Sequence, residues 1–276
     1  MTGTQIIKQG LDLLDHTINE FDPRNVIAMF SGGHDSLVST HIASQHPRFS
    51  FALHINTGIG IEQTREFVRQ TCGEWGIELR EYRAAECSDP QVYDDIVREY
   101  GFPGADQHRI MYVRLKERPL RQALRDLNRQ PKDKTLLITG ARSQESMRRM
   151  RHVKPVQIWE GTKIWVAPIW NFNKLDVGEY IRTHGLRRNE VVDLLHMSGE
   201  CLCGAFAHEG EKEEIRQWFP EVASRIDQLE NEITEKFPWG WENGPPEWWK
   251  EYKHGQKIIP GLETLCWSCD KRRNDQ

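Results

Sequence analysis

Residues 26–43, VIAMFSGGHDSLVSTHIA, constrain the fold more than any other stretch of the chain. Val26, Ile27, Ala28, Met29 and Phe30 form an apolar run of the length of a buried strand. The run breaks at Ser31-Gly32-Gly33-His34-Asp35-Ser36, after which Leu37, Val38 and Ile42 recur as one face of a helix. A strand, a glycine turn and a helix N-terminus together build an anion site. The glycines let successive N–H groups converge, and the helix end adds partial positive charge. Ser31 and Ser36 add hydroxyl donors, and Asp35 is placed to cap the helix or to hold a magnesium ion. The turn has no lysine and not the spacing of a Walker loop. Alone, such a turn also serves as a plain strand-to-helix connection, so a phosphate site needs support elsewhere.

That support comes from two later strand ends. Residues 49–55 (FSFALHI) read as a second strand running into Asn56-Thr57-Gly58, residues 62–75 as a helix and residues 77–82 as a third strand. Such alternation predicts a parallel sheet with right-handed crossovers, whose ligands lie at the carboxyl ends of the strands. Residues 135–139 (TLLIT) form another buried strand, ending in Gly140-Ala141-Arg142-Ser143-Gln144-Glu145-Ser146-Met147-Arg148-Arg149. Guanidinium forks donate paired hydrogen bonds to phosphate or sulfate oxygens, so arginines after a strand-end glycine are a second anion signal. Residues 163–168 supply a further strand. Asn173 and Asp176 then form a capping pair at the head of a helix.

Between these motifs, residues 91–100 predict a helix and residues 111–128 a basic helix that Pro119 kinks or splits. Its arginines form either a solvated face or an anion-binding one. Cys72 reads as a core residue, and Cys87, in a polar turn, as an exposed thiol or a persulfide carrier.

With 276 residues the chain accommodates one sizeable α/β domain, expected over residues 1–195, and a smaller appendage over 196–276. Its net charge of −4 gives no overall attraction to nucleic acid, leaving that role to local patches such as residues 142–154. No apolar run approaches the ~20 residues of a membrane span. The N-terminus reads as an amphipathic helix rather than a signal peptide. A cytoplasmic location with no membrane partner is expected, where six cysteines serve more readily as ligands, catalysts or core residues than as disulfides.

The appendage carries two close cysteine pairs, Cys201-Leu202-Cys203 and Cys266-Trp267-Ser268-Cys269, around two helices and a tract rich in tryptophan and proline. Four thiolates brought to one centre suit zinc or an iron–sulfur cluster, and the sequence separates the two poorly. The alternative is four independent thiols. The tryptophans pack the tail or offer rings for stacking on bases.

SGGHDS after a first strand resembles the pyrophosphate loop of the N-type ATP pyrophosphatases, a superfamily that includes the phosphoadenosine phosphosulfate reductase family. His54-Ile55-Asn56-Thr57-Gly58 resembles that family's H-x-D-T-G segment, with Asn56 in place of the acid. GARSQESMRR resembles its G-x-R-x-x-E-S-x-x-R motif, and PIWNFNKLDVGEYIRTHGL its domain-closing segment. The resemblance implies a doubly wound, mostly parallel α/β sheet of the adenine-nucleotide α-hydrolase type. It implies ATP with magnesium bound by Ser31, Gly32, Gly33, His34, Asp35, Ser36, Asn56, Thr57, Gly58, Gly140, Arg142 and Glu145, with Asp35, Arg142 and Arg149 in catalytic roles.

Where the iron–sulfur reductases of the family carry paired cysteines, this chain has Ile110 and Met111. The Cys-Trp-Ser-Cys end resembles the late cluster of DNA-phosphorothioation sulfurtransferases, which favours a [4Fe–4S] cluster over zinc on Cys201, Cys203, Cys266 and Cys269. An ATP pyrophosphatase acting in sulfur transfer is therefore expected, with a nucleic-acid acceptor, a cysteine desulfurase or other donor protein, and oligomerisation left open. The alternatives are a sulfonucleotide reductase, although Glu200-Cys201-Leu202-Cys203 departs from the family's E-C-G-x-H element, and a non-catalytic nucleotide-binding subunit.

Overall fold

The apolar stretches of the first two hundred residues pair into one six-stranded sheet in the order β3-β2-β1-β4-β6-β5. A computed structural model describes residues 3–128, 130, 132–144, 154–247 and 249, with side chains from residue 7. The strands are β1 (Asn25–Met29), β2 (Phe51–Asn56), β3 (Leu79–Arg83), β4 (Thr135–Ile138), β5 (Val156–Trp159) and β6 (Lys163–Val166). All neighbours are parallel except β5, which runs antiparallel to β6 at the edge. The sheet is thus the doubly wound, mostly parallel α/β type. The edge strand β5 has no counterpart in the sequence reading. Its signal was the alternation Val156-Gln157-Ile158-Trp159 before a turn in which Glu160 and Gly161 both have positive φ.

Alternate residues of the central strands face opposite layers, as the period of two requires. Val26, Ala28, Leu136, Ile138, Ile164 and Val166 pack with Leu14 and Ile18 of α1 (Gly3–Phe21). Ile27, Phe51, Leu53 and Leu137 face the other way, onto Leu120, Ala123 and Leu124 of α6 (Arg118–Leu127). A third cluster joins Leu37, Val38 and Ile42 of α2 (His34–Ser44) to Phe67, Val68 and Cys72 of α3 (Glu62–Glu74). It also takes in Val177, Tyr180 and Ile181 of α7 (Lys174–Thr183), whose Asn173–Asp176 capping box forms as the sequence predicts.

The predicted helix over residues 111–128 is not one regular helix. α5 (His108–Tyr112) passes through a π turn, Val113–Glu117, into α6, and Pro119 stands in the first turn of α6. Proline lacks the N–H that an interior position would need, so the ladder widens just ahead of it. The arginines here mostly have protein partners: Arg118 pairs with Asp89, Arg121 with Glu117, and Arg125 bonds Gln122 at 2.9 Å.

By packing, the chain divides into two compact units, Met1–Gln91 with Val113–Cys201, and Val92–Tyr112 with Leu202–Gln276. The second contains α4 (Tyr93–Tyr100), α5, α9 (Glu211–Trp218) and α10 (Pro220–Ile233). Trp241 is 1% exposed and donates through Nε1 to Leu202 O at 2.9 Å, while Trp239 Nε1 donates to Phe102 O at 2.9 Å. A Cβ at Gly101 would come within 2.7 Å of Trp239, so the ring lies directly on the backbone. These two tryptophans are packing residues of the second unit. Among the described residues, no helix is long and apolar enough to cross a membrane.

Candidate nucleotide site

The strand order places β1 between β2 and β4, so the chain winds one way from β1 through β3 and the other way from β4. Loops leaving neighbouring strands at such a switch open a crevice at the carboxyl ends. Residues 31–36 leave β1 there, and Gly140 to Arg142 leave β4 beside them. The two loops touch: a Cβ on Gly140 would lie 2.6 Å from Ser36 N and 2.6 Å from Asp35 C. Gly140 is a packing requirement for bringing both signals to one place.

Within the first loop, Gly32 has φ +81°, a left-handed conformation that glycine adopts without strain. Its carbonyl accepts from Asn189 Nδ2 at 2.9 Å, which holds the turn open. Ser36 Oγ donates to Gly33 O at 2.8 Å, and Ser31 Oγ to Ser36 Oγ at 3.1 Å. Gly33 caps α2 with its backbone alone. Asp35, read as a cap or a magnesium ligand, does not cap the helix but lies in its first turn, where its Oδ1 is 2.9 Å from Arg142 Nε.

Burial pushes the Asp35 carboxyl above the usual aspartate range, and Arg142 offsets only part of that shift. A buried carboxylate whose charge is under-compensated suits a hard cation, so Asp35 fits the magnesium role. Burial, followed by the charge of Arg188, lowers the pKa of His34 and favours its neutral ring. Arg149 and Glu145, expected at the same site, lie outside the described residues, as does most of the 142–154 patch.

The second strand end adds Asn56, Thr57 and Gly58. Asn56 Nδ2 donates to Glu81 Oε1 at 2.7 Å, and its Oδ1 accepts from Gly58 N at 2.9 Å. An aspartate here would set its carboxylate against that of Glu81, so the amide is what the neighbouring strand requires. Glu81 also accepts from Arg69 Nε at 2.9 Å and Arg83 Nε at 3.2 Å. Burial acts to raise its pKa, but these three donors prevail and hold it down at about 2.

A depressed carboxyl pKa stabilises the fold above the ordinary glutamate value and ceases to as pH falls through the folded value. Urea unfolding from neutral pH down to about pH 2 should therefore show Glu81→Gln losing less stability than wild type below the ordinary glutamate value. Parallel curves would remove Glu81 from the acid limb.

Thr57 leads to a residue that sequence reasoning missed as a partner. Glu200 is 2% exposed, and its Oε1 accepts from Thr57 N at 2.9 Å. Its Oε2 stands 3.2 Å from His54 Nε2 and 3.4 Å from Arg65 Nε. Burial acts to lower the His54 pKa, yet the neighbouring Glu200 carboxylate outweighs it and shifts the ring's pKa upward, while Nδ1 donates to Phe30 O at 2.8 Å. The one signal in the sequence was Glu200 beside Cys201.

The cysteines divide. Cys72 is buried, and desolvation pushes its thiol up to about 12. Cys87 is not the exposed thiol expected: it is 9% exposed, and its Sγ donates to Arg83 O at 3.2 Å. The 3-10 turn Ala84–Glu86 turns it inward, and burial raises its pKa, which disfavours a persulfide-carrying role. Cys201 is half-buried at the end of the first unit and Cys203 is 5% exposed in the second. Cys266 and Cys269 lie outside the described residues. Among the described residues, no group of three or more His, Cys, Asp or Glu side chains is arranged to hold a metal.

Residues 25–198 match the phosphoadenosine phosphosulfate reductase domain family, and the chain belongs to that family. It is 25% identical over 203 residues to a phosphoadenosine 5'-phosphosulfate reductase of Klebsiella pneumoniae, covering 73% of this chain and 75% of that one. It is 26% identical over 243 residues to an uncharacterised protein of Methanocaldococcus jannaschii, covering 85% of this chain but 55% of the longer relative. Among solved structures, it resembles the phosphoadenylyl-sulfate reductase of Candida auris in its phosphate complex, with a TM-score of 0.51 and 19% identity over 67% of this chain and 84% of that one.

Proposed function

We propose that the protein is an adenine-nucleotide α-phosphate-cleaving sulfurtransferase. The observation that carries this reading is the convergence of the 31–36 turn, Gly140 and the Asp35–Arg142 pair at the topological switch point. ATP lies across the strand ends, with its pyrophosphate on the backbone amides and hydroxyls of Ser31, Gly32, Gly33, His34 and Ser36. Asn56, Thr57 and Gly58 border the nucleotide. Asp35 holds magnesium, which when bound neutralises charge on the phosphates. An acceptor oxygen attacks the α-phosphorus, the α–β phosphoanhydride bond breaks, and pyrophosphate leaves with its charge met by Arg142 and, in the family pattern, Arg149, with Glu145 orienting an arginine. The outer sulfur of a donor-protein persulfide, such as that of a cysteine desulfurase, then displaces AMP from the activated acceptor, and a thiol reductant cleaves the resulting disulfide to leave the sulfur on the acceptor.

The DNA backbone is our first candidate acceptor, gripped by the arginines of residues 142–154. Cys201, Cys203, Cys266 and Cys269 would carry the [4Fe–4S] cluster. The nucleotide-binding domain would span residues 1–195 and the cysteine-bearing subdomain 196–276, in a cytoplasmic protein. A second reading, sulfonucleotide reduction to sulfite, is favoured by the family match and by a cysteine directly after the buried Glu200.

Product analysis separates the two. Incubation with magnesium-ATP, nicked or single-stranded DNA and sodium sulfide is expected to yield AMP and pyrophosphate. Incubation with phosphoadenosine phosphosulfate and a dithiol is expected to yield no sulfite. Sulfite without pyrophosphate would replace the first reading by the second. Neither product would leave a nucleotide-binding subunit.

A further inference from the structure

Residues 198–200 are fastened to the end of β2 and to α3 at several points. Thr64 Oγ1 donates to Ser198 O at 2.6 Å, Ile61 N to Gly199 O at 2.8 Å and Thr57 Oγ1 to Glu200 O at 2.6 Å. Thr57 N adds a bond to the Glu200 carboxylate at 2.9 Å. The approach is also steric. A Cβ at Gly60 would lie 2.5 Å from Glu200 O and 2.8 Å from its Cα, so the two backbones are in direct contact. Gly199 has φ +68°, and a Cβ there would strike Val191 at 2.8 Å and Ile61 at 2.9 Å.

To these the structure adds a buried ionic cluster. Glu200 meets His54, 1% exposed, and Arg65, 7% exposed, while Arg65 Nη1 also pairs with Glu62 at 3.1 Å. An apolar side chain would fasten a loop at lower desolvation cost, since taking charges out of water is expensive. What an ionic cluster adds is one geometry: the carboxylate has to meet the Thr57 amide, the imidazole and the guanidinium together. The residue that follows is Cys201, and the turn to which Glu200 is bonded belongs to the candidate nucleotide site.

We propose that the His54–Glu200–Arg65 cluster is a positioning device for Cys201, fixing its backbone one residue from the Thr57 turn whether the thiol acts as a ligand or as a nucleophile. The purpose of the device rests on the sulfur-transfer reading, but its test does not. Iodoacetamide labelling of the full-length protein as purified, mapped by peptide mass spectrometry, reads the mobility of each cysteine. Glu200→Gln breaks the ionic cluster, and Thr57→Val removes the hydroxyl bond while leaving the charges in place. Each is expected to speed Cys201 labelling by about fivefold or more, with the buried Cys72 and Cys87 unchanged. A thiolate released from a metal also labels faster, so a bound cluster keeps the same sign.

Equal Cys201 rates in wild type and both variants would overturn the proposal. So would a parallel acceleration of Cys72 and Cys87, which would make the cluster a general support of the domain. The assay uses neither ATP nor turnover. Absence of ATP cleavage would remove the sulfur-transfer reading and leave the labelling result standing.

Discussion

Glu200→Ala is expected to lower the unfolding free energy by about 3–5 kcal/mol, the range for removing one member of a buried ion pair. The reason is what stays behind. The Arg65 guanidinium stays buried without the carboxylate, His54 loses the group that raises its pKa against burial, and Thr57 N loses its acceptor. His54→Ala is expected to cost less, because Glu200 keeps Arg65 and both Thr57 bonds. Urea denaturation of the three proteins at neutral pH checks the order. A loss below about 1 kcal/mol for Glu200→Ala would mean the carboxylate is solvated in solution, as surface pairs are. It would also undercut the positioning role proposed for the cluster.

Arg142→Ala is expected to weaken ATP binding by about 2 kcal/mol or more, roughly 30-fold, as when one partner of a buried charged contact is truncated. Arg142 is 11% exposed in its side chain and is held at the crevice by Asp35. Arg142→Lys is expected to recover only part of the loss, since an ammonium cannot donate the paired bonds of a guanidinium. The variant has a second signature. Without Arg142 only the charge of Lys174 opposes the burial of Asp35, so its carboxyl, already raised, rises further. A raised folded pKa gives stability at acid pH that is lost as pH climbs through the folded value. The Arg142→Ala protein should therefore hold that contribution to a higher pH than wild type. Calorimetric titration with ATP and urea unfolding across pH 4–7 measure the two effects separately, the window being about that of a shifted carboxylate. Unchanged affinity would remove Arg142 from the phosphate site.

The parts of the fold that could be read from the sequence are those set by local physics. Residues 26–43 carry a strand run, a turn needing positive φ at Gly32 and a helical period in immediate succession, and all three form. Asn173 and Asp176 cap α7 because both partners of a capping box lie within four residues. Residues that depend on distant partners were harder. Glu200 reaches Thr57 across 143 positions, and nothing near Glu200 announces a buried histidine on β2. Cys87 sits among polar residues, but the turn at Ala84–Glu86 rotates it inward. Asn56 departs from the family acid, and only the register His54 opposite Glu81 explains the exchange, by bringing a carboxylate onto the neighbouring strand. Of the two roles open to Asp35 in the sequence, a helix cap or a magnesium ligand, the cap is taken by the Gly33 backbone, which begins the helix one residue ahead of His34 and leaves Asp35 to Arg142.

The proposed seat of the nucleotide phosphates on the 31–36 turn is tested most directly through Gly33. It has φ −72°, which any residue adopts, and a Cβ there would meet nothing closer than Ser198 at 3.5 Å. Gly33→Ala should therefore fold with less than about 1 kcal/mol of stability lost, the scale of a helix N-cap exchange. Its methyl group would, however, stand in the cradle where phosphate oxygens approach the backbone. Calorimetric titration of magnesium-ATP into both proteins is expected to show binding to wild type and affinity at least about tenfold weaker in the variant, about 1.4 kcal/mol. Equal affinity in the two proteins would place the nucleotide elsewhere and contradict the account.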